Sequence, residues 1–164
     1  MQNSPIFFRP MRRAKQALSR EECVQLLMEE PRGVLSVLGD NGYPYGVPLT
    51  HWYDPESGKL YFHGARIGHK LDALRQCGKA SFCVCDQGFR RPGEWALNIR
   101  SVIVFGRVRE VNDPAAVTRI LTALGAKFTD DPDYARQELA RAGAAVCCLE
   151  LTPEHISGKL VNES

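Results

Sequence analysis

The sequence predicts a mainly β domain, a barrel of about six antiparallel strands, closed or split, with helices on its periphery. Three features of the chain point there. Short apolar segments with period-two alternation recur between turns rich in Gly, Pro, Asn and Asp. Hairpin-length connections dominate the first half, and the regular βαβ alternation of a doubly wound sheet is missing. The chain's 164 residues fit one domain over 1–164, with 1–17 as an N-terminal arm and 18–159 as barrel and helices.

Ser19-Arg20-Glu21-Glu22 is a capping-box pattern and starts a helix over residues 20–30, which Pro31 and Gly33 close. A strand over 34–38 follows, and Gly39-Asp40-Asn41-Gly42 reads as a hairpin turn. The next strand, 43–53, is interrupted by Pro44 and Pro48. Because proline lacks a ladder donor, Pro48 marks an edge, a bulge or a place where a ligand meets the backbone. Residues 54–58 turn the chain into a third strand over 59–65. A short helix over 69–77 stops at Gly78, and 79–85 alternates as a strand.

Residues 86–94 read as a mobile loop and 96–111 as the longest strand. Asp113-Pro114 and Asp131-Pro132 each pair an N-cap with a first-turn proline. The second of the two helices ends near Gly143, and 144–151 forms the last strand. Trp95, just after the loop, reads as a strand-packing aromatic or a cover for a ligand. His155 falls in a C-terminal turn with no assigned role.

Composition narrows the function classes. A net charge of +2 is too small to argue for a nucleic-acid surface. Arg9, Arg12, Arg13 and Lys15 read as a solvated arm. No apolar run approaches the ~20 residues of a membrane span, and the first twenty residues lack a secretory signal's apolar core. The six cysteines form no CxxC and no zinc-ligand spacing. They read as buried, reduced small hydrophobes of a cytoplasmic protein that holds no metal.

Residues 61–74, YFHGARIGHKLDAL, carry the chemistry. A strand runs through two glycines and the basic side chains Arg66, His69 and Lys70 into an amphipathic helix. Orphan N–H groups and the positive helix end suit a phosphate there. The spacing is neither a Walker loop nor GxGxxG, which argues against ATP and a Rossmann-bound dinucleotide. His63, fixed on the strand, reads as a donor to a cofactor ring or substrate and as a proton source. The alternative, a structural histidine bonded to a neighbouring strand, stays open. Val47-Pro48-Leu49-Thr50-His51 offers backbone and hydroxyl groups to a planar ring, with core packing an equal alternative for His51.

GYPYGVPLTHWYD followed by LYFHGARIGHKLDAL resembles the Nim-type nitroimidazole-resistance proteins, within the pyridoxamine-phosphate-oxidase-like FMN-binding split barrels. Arg100-Ser101-Val102-Ile103-Val104-Phe105-Gly106 is similar to the family's R-S-V strand, and Ile156-Ser157-Gly158-Lys159 to its I-T-G-K tail. The resemblance covers residues 12–159. It implies a six-stranded split barrel and a homodimer with FMN in clefts between the two barrels. It sets the phosphate near Arg66, Gly68, His69 and Lys70. The isoalloxazine then lies along Pro48, Leu49, Thr50, His51, His63, Gly64 and Ala65. Ser101 and Lys159 approach the site, the latter from the partner chain.

Reduced FMN would then pass electron pairs to the nitro group of a 5-nitroimidazole and yield an amine, with His63 as proton donor or substrate contact. The alternative is a non-catalytic flavin- or haem-binding module that stores or senses a cofactor. Two positions depart from the family pattern. His69 stands where Arg or Lys is usual, and Gly64 replaces a common serine.

Overall fold

The computed structural model describes residues 7–142 and 145–163, so the expected helix end near Gly143 and strand start at Ala144 lie outside the described residues, as does the start of the arm. Seven strands form one antiparallel sheet: β1 (Arg32–Leu38), β2 (Pro44–Thr50), β3 (Trp52–Asp54), β4 (Lys59–Ala65), β5 (Lys79–Cys85), β6 (Leu97–Val111) and β7 (Val146–Glu163). Helices α1 (Arg20–Glu29), α2 (His69–Gln76), α3 (Pro114–Gly125) and α4 (Pro132–Ala142) lie around it. The strand order is β2-β1-β5-β6-β7-β4-β3.

That order explains the curl. The two edge strands, β2 and β3, are consecutive in the chain and only His51 separates them. A sheet whose opposite edges are joined by one residue has to bend until those edges meet. The expected strand over 43–53 is therefore two strands on opposite edges, which makes seven strands in place of six. The break falls at His51 and not at the prolines. Pro44 and Pro48 pair with Leu38 and Val34 along β1, which an edge strand tolerates because alternate residues turn away from the ladder.

Inside the curl, alternate residues of each strand meet: Leu35 and Val37, Phe82 and Val84, Val102 and Val104, Leu60 and Phe62, Leu149 and Leu151. α1 closes one end. Its capping box forms in full, with Ser19 N–H donating to Glu22 at 2.7 Å and Glu22 N–H to the Ser19 hydroxyl at 3.1 Å, worth about 1 kcal/mol. Cys23, Leu26 and Leu27 lie on its buried face. α2 adds Leu71, Ala73 and Leu74 to the core. α3 covers the outer face of β4 and β7 with a second cluster of Tyr61, Ile120, Leu124 and Cys148.

β7, not β6, is the longest strand, running to Glu163 where the sequence suggested a stop at Leu151. The long β6 supplies a partner for this polar tail, and a bulge at Phe105/Gly106 leaves Glu154 as the extra residue between Pro153, opposite Gly106, and His155, opposite Phe105. A side chain on Gly106 would collide with the carbonyl oxygen of Thr152, so the bulge admits only glycine. His155 consequently sits in a strand, stacked on Phe8 at 4.7 Å. Gly78 is no left-handed cap; α2 ends on Cys77 in extended geometry, and the Gly78 carbonyl accepts the Val108 N–H at 2.7 Å. Cys85 is exposed, and Cys77 and Cys83 only partly buried; no disulfide occurs among the described residues. No helix among them is long and apolar enough to cross a membrane, and no cluster of ligating side chains would hold a metal ion.

His51, at the corner, is fully buried. Its Nε2–H donates to the Leu27 carbonyl at 2.7 Å, and its ring meets Phe82 edge-on at 4.9 Å. Its own carbonyl accepts Lys127 Nζ at 2.7 Å, and the same ammonium bonds the Glu30 carbonyl at 3.0 Å. Burial, reinforced by the Lys127 charge, pushes its pKa down from 6.5 to about 4. The unfolded chain therefore binds a proton between pH 6.5 and 4 that the folded chain refuses, and stability falls as pH falls through that window. The loss amounts to about 2 kcal/mol between pH 7.5 and pH 5. Urea unfolding of the native chain and of His51→Gln at those two pH values checks this: the native protein should lose about that much more. Equal losses would show that His51 titrates normally.

Candidate functional site

Where β2 and β3 part company, the paired wall of the barrel is interrupted, and this break is its mouth. The β3–β4 register pairs Trp52 with Tyr61; continued along the chain it would set Thr50 beside His63 and Pro48 beside Ala65. Instead β2 leaves to pair with β1, though it still touches β4. The mouth is thus walled by Pro48, Leu49 and Thr50 on one side and by His63, Gly64 and Ala65 on the other. Alternate backbone groups of edge strand β2 stay free for a ligand there.

The start of α2 reaches the mouth through the Lys70 side chain. Gly68 is its N-cap at φ 125°, a conformation that favours glycine, and no side chain caps the helix. Leu71 and Asp72 N–H groups both return to the Gly68 carbonyl, at 2.9 and 3.2 Å, which leaves the first-turn N–H groups of His69 and Lys70 without helical acceptors.

Lys70 reaches back over the strand. Its Nζ lies 2.8 Å from where a side chain on Gly64 would begin, so the glycine that replaces the family's serine makes room for the ammonium. The ammonium is half-buried, and no carboxylate among the described residues pairs with it; burial lowers its pKa. Across the strand pair, Cys147 stands opposite Gly64. Its thiol donates to Glu110 at 3.7 Å, and burial raises its pKa. Glu110 in turn takes Arg75 at 2.8 Å. His63 is exposed on the outer face of β4. Desolvation where it leans on the strand, then the Lys70 charge, lowers its pKa, so its imidazole is neutral at neutral pH.

Two expected contacts point elsewhere. The His69 ring stacks on Tyr45 at 4.2 Å, and its Nε2 accepts the Asp40 N–H at 3.3 Å. It clamps α2 to the β1–β2 turn, and only its backbone N–H is left for an anion. Tyr45, which completes the clamp, carries no signal of its own in the sequence. His51 likewise turns its ring and carbonyl into the fold. Ser101 and Lys159 pair with each other on β6 and β7. From Cys148, the partner of His63, to Lys159 is about 36 Å of strand at ~3.3 Å per residue, so one chain does not bring them to this mouth.

A family model described as pyridoxamine 5'-phosphate oxidase matches residues 19–160, and the chain belongs to that family. No curated protein matches it. Among solved structures it is similar to a putative 5-nitroimidazole antibiotic resistance protein from Bacteroides thetaiotaomicron, with TM-score 0.73 and 15% identity over 89% of this chain and 87% of that one. An FAD-binding protein from Mesorhizobium loti gives TM-score 0.65 and 24% identity over 89% and 97% of the two chains. A flavocytochrome from Azotobacter vinelandii gives 0.70 and 22% over 93% and 72%. The fold is the antiparallel split barrel that these proteins share.

A half-buried cation without a counter-charge opposes folding until an anion arrives. Lys70→Met should therefore stabilise the ligand-free chain by about 1 kcal/mol once solvent screening is allowed for, roughly 2–4 °C in Tm. Added phosphate should raise the Tm of the native protein and leave that of the variant unmoved. The His63 pKa, followed by NMR, should be higher in the variant. A lower Tm for Lys70→Met would show that the ammonium is satisfied within the fold.

Proposed function

We propose that the chain is an FMN-dependent oxidoreductase of small molecules, working in the cytoplasm as a homodimer with a Nim-type reduction of nitro groups as its reaction. The observation that carries this reading is the Lys70 ammonium, on the uncapped first turn of α2 and beside Gly64, with no carboxylate partner among the described residues. Orphan N–H groups, a helix dipole and a desolvated cation all belong to the first turn of α2, and each favours an anion there. The flavin phosphate is assigned to Arg66, Lys70 and the backbone of Gly68, His69 and Lys70, and the ring to the mouth between Pro48–Thr50 and His63–Ala65.

Bound there, FMN would supply the two-electron chemistry. The chain's own residues hold and orient it. Free backbone groups of β2 would hold the ring edge, Gly64 leaves room for the Lys70 ammonium, and neutral His63 would offer one N–H to a substrate. An anion beside Lys70 cancels the charge that depresses the His63 pKa, so loading the site makes that imidazole a better proton carrier.

The homodimer draws support from the outer sheet face. Register aligns Pro48, Val34, Cys83, Ile103 and Ser157 in one row across five strands, and Val34, Ile103 and Phe105 are exposed on that face. Ser101 and Lys159 share it, so packing a second copy there would offer both to the partner's mouth.

Flavin titrations test the phosphate assignment. The double variant Arg66→Ala/Lys70→Ala should bind FMN at least tenfold more weakly than the native chain, while riboflavin, which lacks the phosphate, should bind both alike. Unchanged FMN affinity would remove the phosphate from this loop. With NAD(P)H as reductant, a 5-nitroimidazole should be converted to its amine, and absence of turnover by the loaded protein would restrict the proposal to flavin binding.

A further inference from the structure

A second concavity lies at the far end of the β6–β7 ribbon, away from the mouth at His63. It is a cleft of about 520 Å³ between the N-terminal segment and the loop before β6, within the usual range for small-molecule sites. Its composition is uneven in an informative way. Trp95 stands in it three-quarters exposed, although the sequence suggested a packed strand aromatic. Arg90 explains the pose: its Nε donates to the Trp95 carbonyl at 3.0 Å and holds the loop, leaving the indole outward.

Lys15 and Arg91 line the same cleft, neither of them in an ion pair among the described residues, against the single carboxylate of Glu94. At the back, Asn98 is buried and fully engaged, its amide donating to the Phe89 carbonyl at 3.3 Å and its oxygen accepting from Asn162 at 3.1 Å. Beside it, the side-chain oxygen of Gln16 is buried with no hydrogen-bond partner. A buried acceptor left unpaired is costly and asks for a donor from whatever fills the space.

We infer that this cleft binds a planar aromatic acid that also carries a hydrogen-bond donor. The ring stacks on Trp95, where flat π-surfaces meet with little conformational cost. The anionic group lies between Lys15 and Arg91, whose combined charge outweighs Glu94. The half-buried Gln16 side chain turns toward the cleft so that its oxygen accepts an N–H or O–H at the other end of the ring. Each of the three features selects one part of the ligand, and none depends on a flavin at the mouth, so the assignment stands or falls separately from the function proposed above.

The probe is 6-hydroxy-2-naphthoate, followed by equilibrium dialysis against the purified full chain, with the neutral 6-hydroxy-2-naphthamide and the donor-free 2-naphthoate as comparisons. The hydroxy acid should bind saturably with one site per chain, and both comparison compounds at least tenfold more weakly. Trp95→Ala and the double variant Lys15→Ala/Arg91→Ala alter exposed side chains, and each should lose at least tenfold in affinity. Lys70→Met, at the other site, should bind as the native chain does. No saturable uptake at millimolar probe, equal binding of acid and amide, or undiminished binding by Trp95→Ala would each overturn the assignment.

Discussion

One residue, His51, joins the two edges of the sheet, and the rest of the structure follows from that. With β2 on one edge and β3 on the other, no flat arrangement is open to the chain. The sheet curls, its inner face closes on Phe62, Phe82 and their neighbours, and the wall splits where β2 peels from β4. Such a corner is hard to bury because it breaks the ladder on both sides. The structure meets that cost with borrowed partners: α1 offers the Leu27 carbonyl to the ring, and Lys127 binds both the His51 and Glu30 carbonyls. The corner and the candidate site are two sides of one break.

The same logic separates residues that build the mouth from residues that remain free to act in it. His69 and His51 are spent on holding α2 and the corner in place. Lys70 is not spent in this way, and no carboxylate among the described residues pairs with it. A fold that leaves a desolvated cation unmatched gives up stability locally, and that is characteristic of binding sites. His63 sits close enough to feel the cation, which couples the proton affinity of one to the occupancy of the other.

Much of this was legible in the chain. The capping box at Ser19, the bounds of β4 and β5, and the edge position of Pro48 follow from local chemistry that tertiary context did not override. The strand break at His51 was not legible, because a buried aromatic strand residue and a corner residue look alike in sequence. The tail after Leu151 reads as a turn because of Pro153, and it becomes strand only because β6 is long enough to pair with it. In the site, the basic loop was readable from residue type and spacing. The diversion of His69 was not, since it depends on Tyr45 from another element, and the space over Gly64 gains meaning only once Lys70 is seen to fill it.

The visible absorption spectrum of the protein purified without added cofactor, followed by titration with FMN, tests the central claim most directly. The account predicts paired flavin bands, or tight uptake approaching one FMN per chain. A Soret band in their place, or no chromophore and no FMN uptake, would contradict it.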